Sequence, residues 1–153
     1  MKFRRDVEST KGLKGKFCKG LQALRPVDRR RLAVENRSRL VGSADIDSAL
    51  ISHFPDAPRW DYVVGYKKNV PEVMLYWIEV HPADGNRTIT EINNKFDWLL
   101  GWVAGTRLHR YPKRYCWVSS GKCSFTARDP KIKALAQRGL DFRGEYLRIG
   151  HED

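Results

Sequence analysis

The sequence predicts an α/β fold, a single domain with a mixed central β-sheet flanked by helices. Three observations lead to this prediction. Two segments rich in aromatic and β-branched residues, Trp60–Tyr66 and Val73–Val80, are joined by a polar turn over Lys67–Glu72, which is typical of a β-hairpin. Helical and strand patterns alternate along the rest of the chain. The 153 residues are 41% hydrophobic, which is enough for one substantial core.

Residues 1–25 are expected to form a basic N-terminal arm, and residues 26–153 to form the α/β domain. The arm is rich in Lys, and three glycines interrupt any long helix within it. A helix is predicted over Val27–Leu40, directly after Pro26, because valine recurs every seven residues along one stripe. The segment around Asp45 fits either the start of a strand or the cap of a short helix.

The strongest helix signal follows the hairpin. Thr88 and Glu91 match a capping box, and apolar residues recur every three or four positions from Ile89 to Val103. Gly105 is expected to end this helix, because glycine readily adopts the backbone conformation of a helix C-terminus. The helix should lie over the hairpin.

The C-terminal part of the chain predicts one more helix among short strands. Strand patterns cover Tyr115–Ser119, Leu140–Phe142 and Tyr146–Ile149. Between the first two, Asp129 caps a predicted helix that has Pro130 at its first position. This order of elements predicts a mixed sheet with helices packed on its faces.

The net charge of +11 is distributed unevenly along the chain. Residues 1–40 carry a net +9, residues 41–105 a net −4 and residues 106–153 a net +6. Basic ends attract a polyanion, so nucleic acid is the expected partner, although a basic surface also serves solubility alone. The residues expected to contact it lie on the first predicted helix or among tyrosines: Arg29, Arg30, Arg31, Arg107, Arg110, Lys113 and Arg114.

Each strand of the hairpin carries one carboxylate, Asp61 or Glu79, in an otherwise apolar run. If Tyr66 pairs with Met74, Asp61 falls opposite Glu79, and directly opposed residues share a face with Cβ atoms about 5 Å apart. Two like charges that close need a cation between them. A shift of one residue would put them on opposite faces, so the interpretation depends on register. The alternative is an ordinary solvent-facing acid at a strand end.

The order of elements and acids resembles the PD-(D/E)XK nuclease superfamily over roughly residues 27–120. A helix carrying Glu35 precedes a hairpin with Asp61 in one strand and Glu79 in the next, and another helix follows. The resemblance lies in element order and a short motif rather than in close sequence similarity. It implies a restriction-endonuclease-like αβββαβ core in which Asp61 and Glu79 hold Mg²⁺ or Mn²⁺. Asp56 also matches the motif's letters but lies in a loop, so Asp61 is preferred.

The resemblance also gives roles to neighbouring residues. His81 stands where the family has Lys, two positions after Glu79, and an imidazole replaces that lysine only in part. Glu35 corresponds to the acid that many members carry on the first helix, although an ion pair with a nearby Arg is the simpler explanation. Lys95, on the helix after the hairpin, either points toward the site or faces solvent.

The predicted site suits a divalent cation and phosphate chemistry. Mg²⁺ prefers oxygen ligands at about 2.1 Å and keeps several waters, so Asp61, Glu79 and the backbone carbonyl of Val80 would supply the protein's share. Such an ion polarises a scissile phosphate and lowers the pKa of an attacking water. We therefore expect a metal-dependent hydrolase of nucleic-acid phosphodiesters. DNA is favoured over RNA as the partner, and the choice between them stays open.

Two other functions stay open. One is a catalytically inactive nucleic-acid-binding protein with the same fold, and the other is a basic RNA- or ribosome-associated factor. No run of about 18 apolar residues occurs, so no membrane span is expected. Three cysteines are too sparse for a disulfide scaffold, which indicates a reducing, cytoplasmic setting. A homodimer remains open.

Overall fold

A five-stranded mixed β-sheet forms the centre of the fold. The chain is described by a computed structural model over residues 1–69 and 72–151. Its elements are, in order, α1 (Lys2–Ser9), α2 (Pro26–Arg29), β1 (Leu32–Val34), β2 (Leu40–Asp45), α3 (Ile46–Leu50), β3 (Tyr62–Asn69), β4 (Glu72–His81), α4 (Asn86–Ala104), β5 (Lys113–Ser119), α5 (Pro130–Gln137), β6 (Leu140–Phe142) and β7 (Leu147–Ile149). The sheet has the order β2-β3-β4-β5-β6, and β1 and β7 form a separate two-stranded sheet. The predicted α/β class is confirmed.

The β3–β4 hairpin forms in the predicted register. The strands pair antiparallel, with Tyr66 opposite Met74 and Tyr62 opposite Ile78. Strand β2 extends the antiparallel part of the sheet, whereas β4, β5 and β6 run parallel to one another. Parallel neighbours need a crossover connection, and α4 and α5 provide the two crossovers.

The hairpin strands are longer than their sequence patterns suggest. Strand β3 continues to Asn69 and β4 begins at Glu72, because residues predicted as a polar turn keep an extended, paired backbone. Val70 and Pro71, which belong to the predicted turn, lie outside the described residues.

Helices cover one face of the sheet, and this face holds the larger core. Phe3 of α1, Ile46 of α3, Phe96 of α4 and Ile132 of α5 belong to one buried cluster with Trp77 of β4. The crossovers through α4 and α5 lie on the same side because such connections are right-handed. The opposite face carries a smaller cluster, covered by residues 21–24 and by the β1–β7 sheet.

Residues 1–25 are part of the domain instead of a separate arm. Phe3, Val7 and Leu13 are fully buried in the helix-covered core. Leu24 is 1% exposed in the smaller cluster on the other face. The boundary expected after residue 25 therefore does not separate two bodies, because apolar residues along the whole segment, from Phe3 to Leu24, are buried in the two cores.

The helix predicted over Val27–Leu40 is wrong. Only Pro26–Arg29 is helical, and the chain then forms β1, a 3-10 turn and β2. Strand β1 pairs in parallel with β7, so long-range pairing overrides the local repeat of valines, and Val27 is 54% exposed. Strand β2 ends at Asp45, whose carboxylate accepts from the Ser48 N–H at 2.9 Å, so the short-helix alternative holds for α3.

Helices α4 and α5 keep most of their predicted ends. Gly105 closes α4 as expected. The helix starts at Asn86, two residues before Thr88, whose hydroxyl donates to the Gly85 carbonyl at 2.6 Å. The predicted capping box does not form, because Glu91 contacts His81 instead. Asp129 caps α5 through its carboxylate, as predicted.

Candidate functional site

The carboxylates of Asp61 and Glu79 meet on the sheet face that α4 covers. Side chains alternate along β4, so Glu79 shares a face with Trp77, which is buried in the larger core. Asp61 directly precedes Tyr62, the first residue of β3, which pairs with Ile78 of β4. The Asp61 N–H donates to Glu79 Oε1 at 3.1 Å, and the Val80 N–H donates to Asp61 Oδ2 at 3.0 Å. The two acids therefore share a face, as the predicted register requires.

Lys95 of α4 points at this pair of acids instead of facing solvent. Its Nζ lies 2.9 Å from Glu79 Oε2, and Glu79 is 1% exposed. The same ammonium donates to the carbonyl of Arg59 at 2.9 Å. Helix α4 thus supplies the cation that two neighbouring carboxylates need.

Burial and mutual repulsion shift the pKa values of all three groups. Burial raises the pKa of Glu79 well above its usual value, and the charge of Asp61 raises it further, while Lys95 opposes the shift. Burial also raises the pKa of Asp61, to about 6, against the attraction of Lys95. Burial disfavours the ammonium form of Lys95, but the two carboxylates outweigh it, so the pKa of Lys95 lies above its usual value. Lys95 therefore stays protonated at neutral pH.

His81 lies beside the acids but does not supply the positive charge. Its Nε2 contacts Glu91 Oε2 at 2.8 Å, and its Nδ1 lies 3.7 Å from Glu79 Oε2. Burial lowers the pKa of His81 despite the attraction of Glu91, so the imidazole is mostly neutral at pH 7. The positive charge beside the acids comes instead from Lys95 on α4.

Glu35 is not part of the site, contrary to the prediction. It follows β1, and its carboxylate pairs with Arg148 of β7 at 2.8 Å. The predicted helix that would carry it does not form, and the β1–β7 sheet packs on the other face of the central sheet. Within the described chain, no recorded contact joins Glu35 to Asp61 or Glu79.

The groups around the acids are of the oxygen type that Mg²⁺ binds, although three of the four carboxylate oxygens already contact a protein N–H or ammonium. The N–H and C=O of one residue point to the same edge of a strand, so the Val80 carbonyl faces the side from which Asp61 approaches. Two carboxylates and a carbonyl are a donor set that Mg²⁺ favours. Among the described residues, no three or more His, Cys, Asp or Glu side chains are grouped as a metal site, so an ion here would also use backbone and water oxygens.

Two of the three arginines at the end of α2 and just after it donate hydrogen bonds to backbone carbonyls of the fold. Arg29 donates to the carbonyl of Leu24 at 2.8 Å, and Arg31 donates to the carbonyl of Ser120 at 2.7 Å. Arg30 is exposed. Leu24 belongs to the smaller core, so this group lies on the sheet face opposite Asp61 and Glu79.

The other predicted nucleic-acid contacts precede or begin β5. Arg107 and Arg110 are exposed and, with Lys2 and Arg5 of α1, line a basic pocket of about 300 Å³. This pocket brings together residues from both basic ends of the chain. We call these four residues the basic pocket.

Lys113 and Arg114 are half-buried at the start of β5, and the Lys113 ammonium donates to the carbonyl of His109. Strand β5 rises about 20 Å from Lys113 to Ser119 at roughly 3.3 Å per residue. Arg31 contacts the chain just beyond Ser119, so the seven predicted cations form two groups at opposite ends of β5 instead of one surface.

Sequence reasoning missed two residues that shape the site, Glu91 and Arg59. Glu91 precedes Lys95 by four residues, and this spacing places both on one side of a helix, which is a signal that could have found it. The Arg59 guanidinium donates to Asp47 at 2.9 Å and to the Phe54 carbonyl at 2.6 Å, so it holds the loop whose carbonyl faces Lys95. No local pattern indicates that role.

No family model, curated protein or solved structure matches the chain. The resemblance to the PD-(D/E)XK superfamily therefore stays a prediction, and function has to be argued from the geometry of the site. Within residues 1–69 and 72–151, no helix is both long and apolar enough to cross a membrane.

Proposed function

We propose that the protein is a metal-dependent hydrolase of nucleic-acid phosphodiesters, with Asp61, Glu79 and Lys95 as its catalytic residues. The observation that carries this proposal is the 2.9 Å contact between Lys95 Nζ and the buried Glu79 carboxylate, on the face that Asp61 shares. Two desolvated acids and one ammonium in a cluster are suited to handle a divalent ion and a phosphate together.

Asp61, Glu79 and the Val80 carbonyl would hold Mg²⁺ or Mn²⁺. Bound there, the ion supplies Lewis-acid polarisation of the phosphate and a more acidic water. A metal ligand has to be deprotonated, so a bound divalent ion would favour the ionised form of both acids, whose pKa values burial raises.

Lys95 acts as a hydrogen-bond donor and positive charge, not as a base, because its raised pKa keeps it protonated. An ammonium has three N–H donors, and contacts to Glu79 and to the Arg59 carbonyl use two of them. The third serves a phosphate oxygen or the attacking water. A fixed donor aimed at developing negative charge lowers the barrier of phosphoryl transfer.

The reaction consumes one water molecule. The water oxygen bonds to phosphorus, the P–O bond to the leaving sugar oxygen breaks, and the proton from water ends on that leaving oxygen. His81 is a positioning residue in this scheme, since its neutral ring lies between the carboxylates of Glu79 and Glu91. The net charge of +11 supports nucleic acid as substrate, and DNA is the first to test.

The test measures cleavage of supercoiled plasmid, branched DNA and single-stranded DNA in Mg²⁺ or Mn²⁺. We expect Asp61→Asn, Glu79→Gln and Lys95→Met each to lower the rate by about 100-fold or more. Glu72→Gln is the matched control, because Glu72 is an exposed acid on the same strand. Circular dichroism checks that every variant is folded.

Equal rates in the wild type and the three site variants would overturn the proposal. Salt-sensitive binding without cleavage in either metal would also overturn it and would favour the binding-only alternative.

A further inference from the structure

A second candidate site lies at the C-terminal end of α4. A cavity of about 610 Å³ lies between this helix end, the residues after α1 and the loop after α3, with Lys11, Phe54, Trp102 and Arg107 among its lining. Neither Asp61 nor Glu79 lines it. The cavity is therefore separate from the pair of acids in the proposed hydrolase site.

Aromatic side chains form one wall of this cavity. Phe54 and Trp102 line it, and Trp98, which does not line the cavity, stacks on Trp102 with centroids 5.6 Å apart and planes 5° apart. Phe54 meets Trp98 edge-on at 5.8 Å and is 39% exposed. Trp102 is fixed from behind by Trp77 at 6.2 Å. A rigid, partly open aromatic wall is what a nucleobase stacks on.

Two cations line the cavity together with the aromatic residues. Lys11 and Arg107 are exposed there, and no Asp or Glu is among its described lining residues. Asp6 lies 4.0 Å from Arg107, but its carboxylate already accepts from the Tyr111 hydroxyl at 2.5 Å. An aromatic wall with a cationic rim matches a nucleotide, which has a flat base and an anionic phosphate.

The cavity lies on the same side of α4 as Lys95. Lys95, Trp98 and Trp102 follow at intervals of three and four residues, which is one helix face, and Trp102 lies about 10 Å along the axis from Lys95. The loop before β3 contacts this face, because the Arg59 carbonyl accepts from Lys95 and Phe54 contacts Trp98. A strand with a phosphate at the acids would have to extend about 10 Å along α4 to place a nucleotide in the cavity.

We propose that this cavity binds an unpaired nucleotide of the substrate, with the base against Phe54 and Trp102 and the phosphate against Lys11 and Arg107. A base in a duplex is stacked on both faces, so only a single strand, a flap or a splayed end offers its face to an aromatic wall. The substrate class is then nucleic acid with an unpaired stretch next to the cleaved bond. This assignment of substrate rests on the proposed hydrolase function, whereas the binding itself does not.

The test measures binding of single-stranded oligo(dT) by tryptophan fluorescence in EDTA, where no metal-dependent cleavage occurs. Trp60, Trp77 and Trp117 are fully buried, so quenching reports on Trp98 and Trp102. We expect Phe54→Ala to raise the Kd about tenfold or more. Tyr146→Ala is the matched control, because Tyr146 is 69% exposed and does not line the cavity.

Trp102→Phe is the second variant, since it keeps an aromatic ring against Trp77 while removing one reporter. We expect it to fold and to lose a large part of the quenching. A blunt duplex of equal length should give no quenching that depends on Phe54.

Unchanged affinity in Phe54→Ala and unchanged quenching in Trp102→Phe would overturn the proposal, as would equal dependence on Phe54 for duplex and single strand. Absence of any quenching by nucleic acid would also overturn it and would favour a protein partner. Because the assay contains no metal, a failure of cleavage does not affect its outcome. Conversely, loss of oligonucleotide binding leaves plasmid cleavage to be judged separately.

Discussion

Lys95 shows how one residue determines what a pair of acids can do. Without it, Asp61 and Glu79 would be two desolvated carboxylates on neighbouring strands, and burial would drive both toward the protonated form. With it, a positive charge 2.9 Å from Glu79 opposes that shift, and an ammonium with three N–H donors lies beside the acids. His81 stands two residues after Glu79 on the strand, and the positive charge comes from Lys95 on the helix that packs over it.

Asp61→Asn should stabilise the metal-free protein at neutral pH. Burial raises the pKa of Asp61 from 3.8 to about 6, so the folded state holds its proton more tightly than the unfolded state. The stability that this proton contributes is full below about pH 4 and is lost as the pH rises through about 6. Asparagine keeps an acceptor for the Val80 N–H but does not ionise. We expect the wild type to lose on the order of 1–3 kcal/mol relative to the variant across that interval.

Urea unfolding of both proteins at a series of pH values in EDTA measures this difference. Asp56→Asn is the control, because it makes the same chemical change at an exposed position in the loop before the site. Parallel pH profiles for the wild type and Asp61→Asn would show that Asp61 is not perturbed by its surroundings.

The positions of Asp61 and Glu79 follow from the sequence, whereas that of Glu35 does not. Alternation of side chains and the pattern of two adjacent strands fix the register of a hairpin, so opposed acids are a local consequence. Glu35 depends on the parallel pairing of β1 with β7, which are separated by more than 100 residues. Its position depends on tertiary pairing, and the local valine repeat predicts a helix where the chain forms a strand.

At the scale of elements, α1 is the helix that the basic composition of residues 1–25 does not predict. It has eight residues and few apolar ones, so it would be marginal as an isolated helix. Phe3 makes it part of the core by packing where β3 has a glycine, since a Cβ at Gly65 would lie 2.8 Å from Phe3 Cε2. The helix is stabilised by the groove it fills, not by its own propensity. Strongly periodic α4 needed no such help and was predicted from its stripe of buried residues.

Phe3→Ala should therefore destabilise the whole domain. The side chain is fully buried in the larger core, and removing a buried phenyl ring costs about 3–5 kcal/mol. Lys14→Ala, a change at an exposed position in the same segment, should stay within about 0.5 kcal/mol of the wild type. Denaturant midpoints of the three proteins measure the effect. A midpoint for Phe3→Ala equal to that of Lys14→Ala would mean that residues 1–25 are a dispensable arm.

At the scale of the molecule, the fold brings charges that are far apart in the sequence together on one face. The sequence has basic ends and an acidic middle, and the fold joins the two ends at the basic pocket of Lys2, Arg5, Arg107 and Arg110. This pocket belongs to the face where α1 and α4 pack, which is also the face of Asp61 and Glu79. Arg30 and its neighbours lie across the sheet and are poorly placed for the same ligand.

Nucleic-acid binding should therefore depend on the basic pocket far more than on the rest of the positive surface. The double variant Arg5→Glu/Arg110→Glu removes two cations from the pocket, so affinity should fall at every nucleic-acid sequence. The slope of log K against log salt should shrink by about 1.5, at roughly 0.7–0.9 per lost phosphate contact. Arg30→Glu/Arg37→Glu changes the net charge equally at exposed positions outside the pocket, so it separates a local contact from general Coulomb attraction. Fluorescence anisotropy of a labelled oligonucleotide over a range of salt concentrations measures both slopes. Equal losses in the two double variants would mean that net charge alone attracts the polyanion and that the basic pocket is not a local contact site for it.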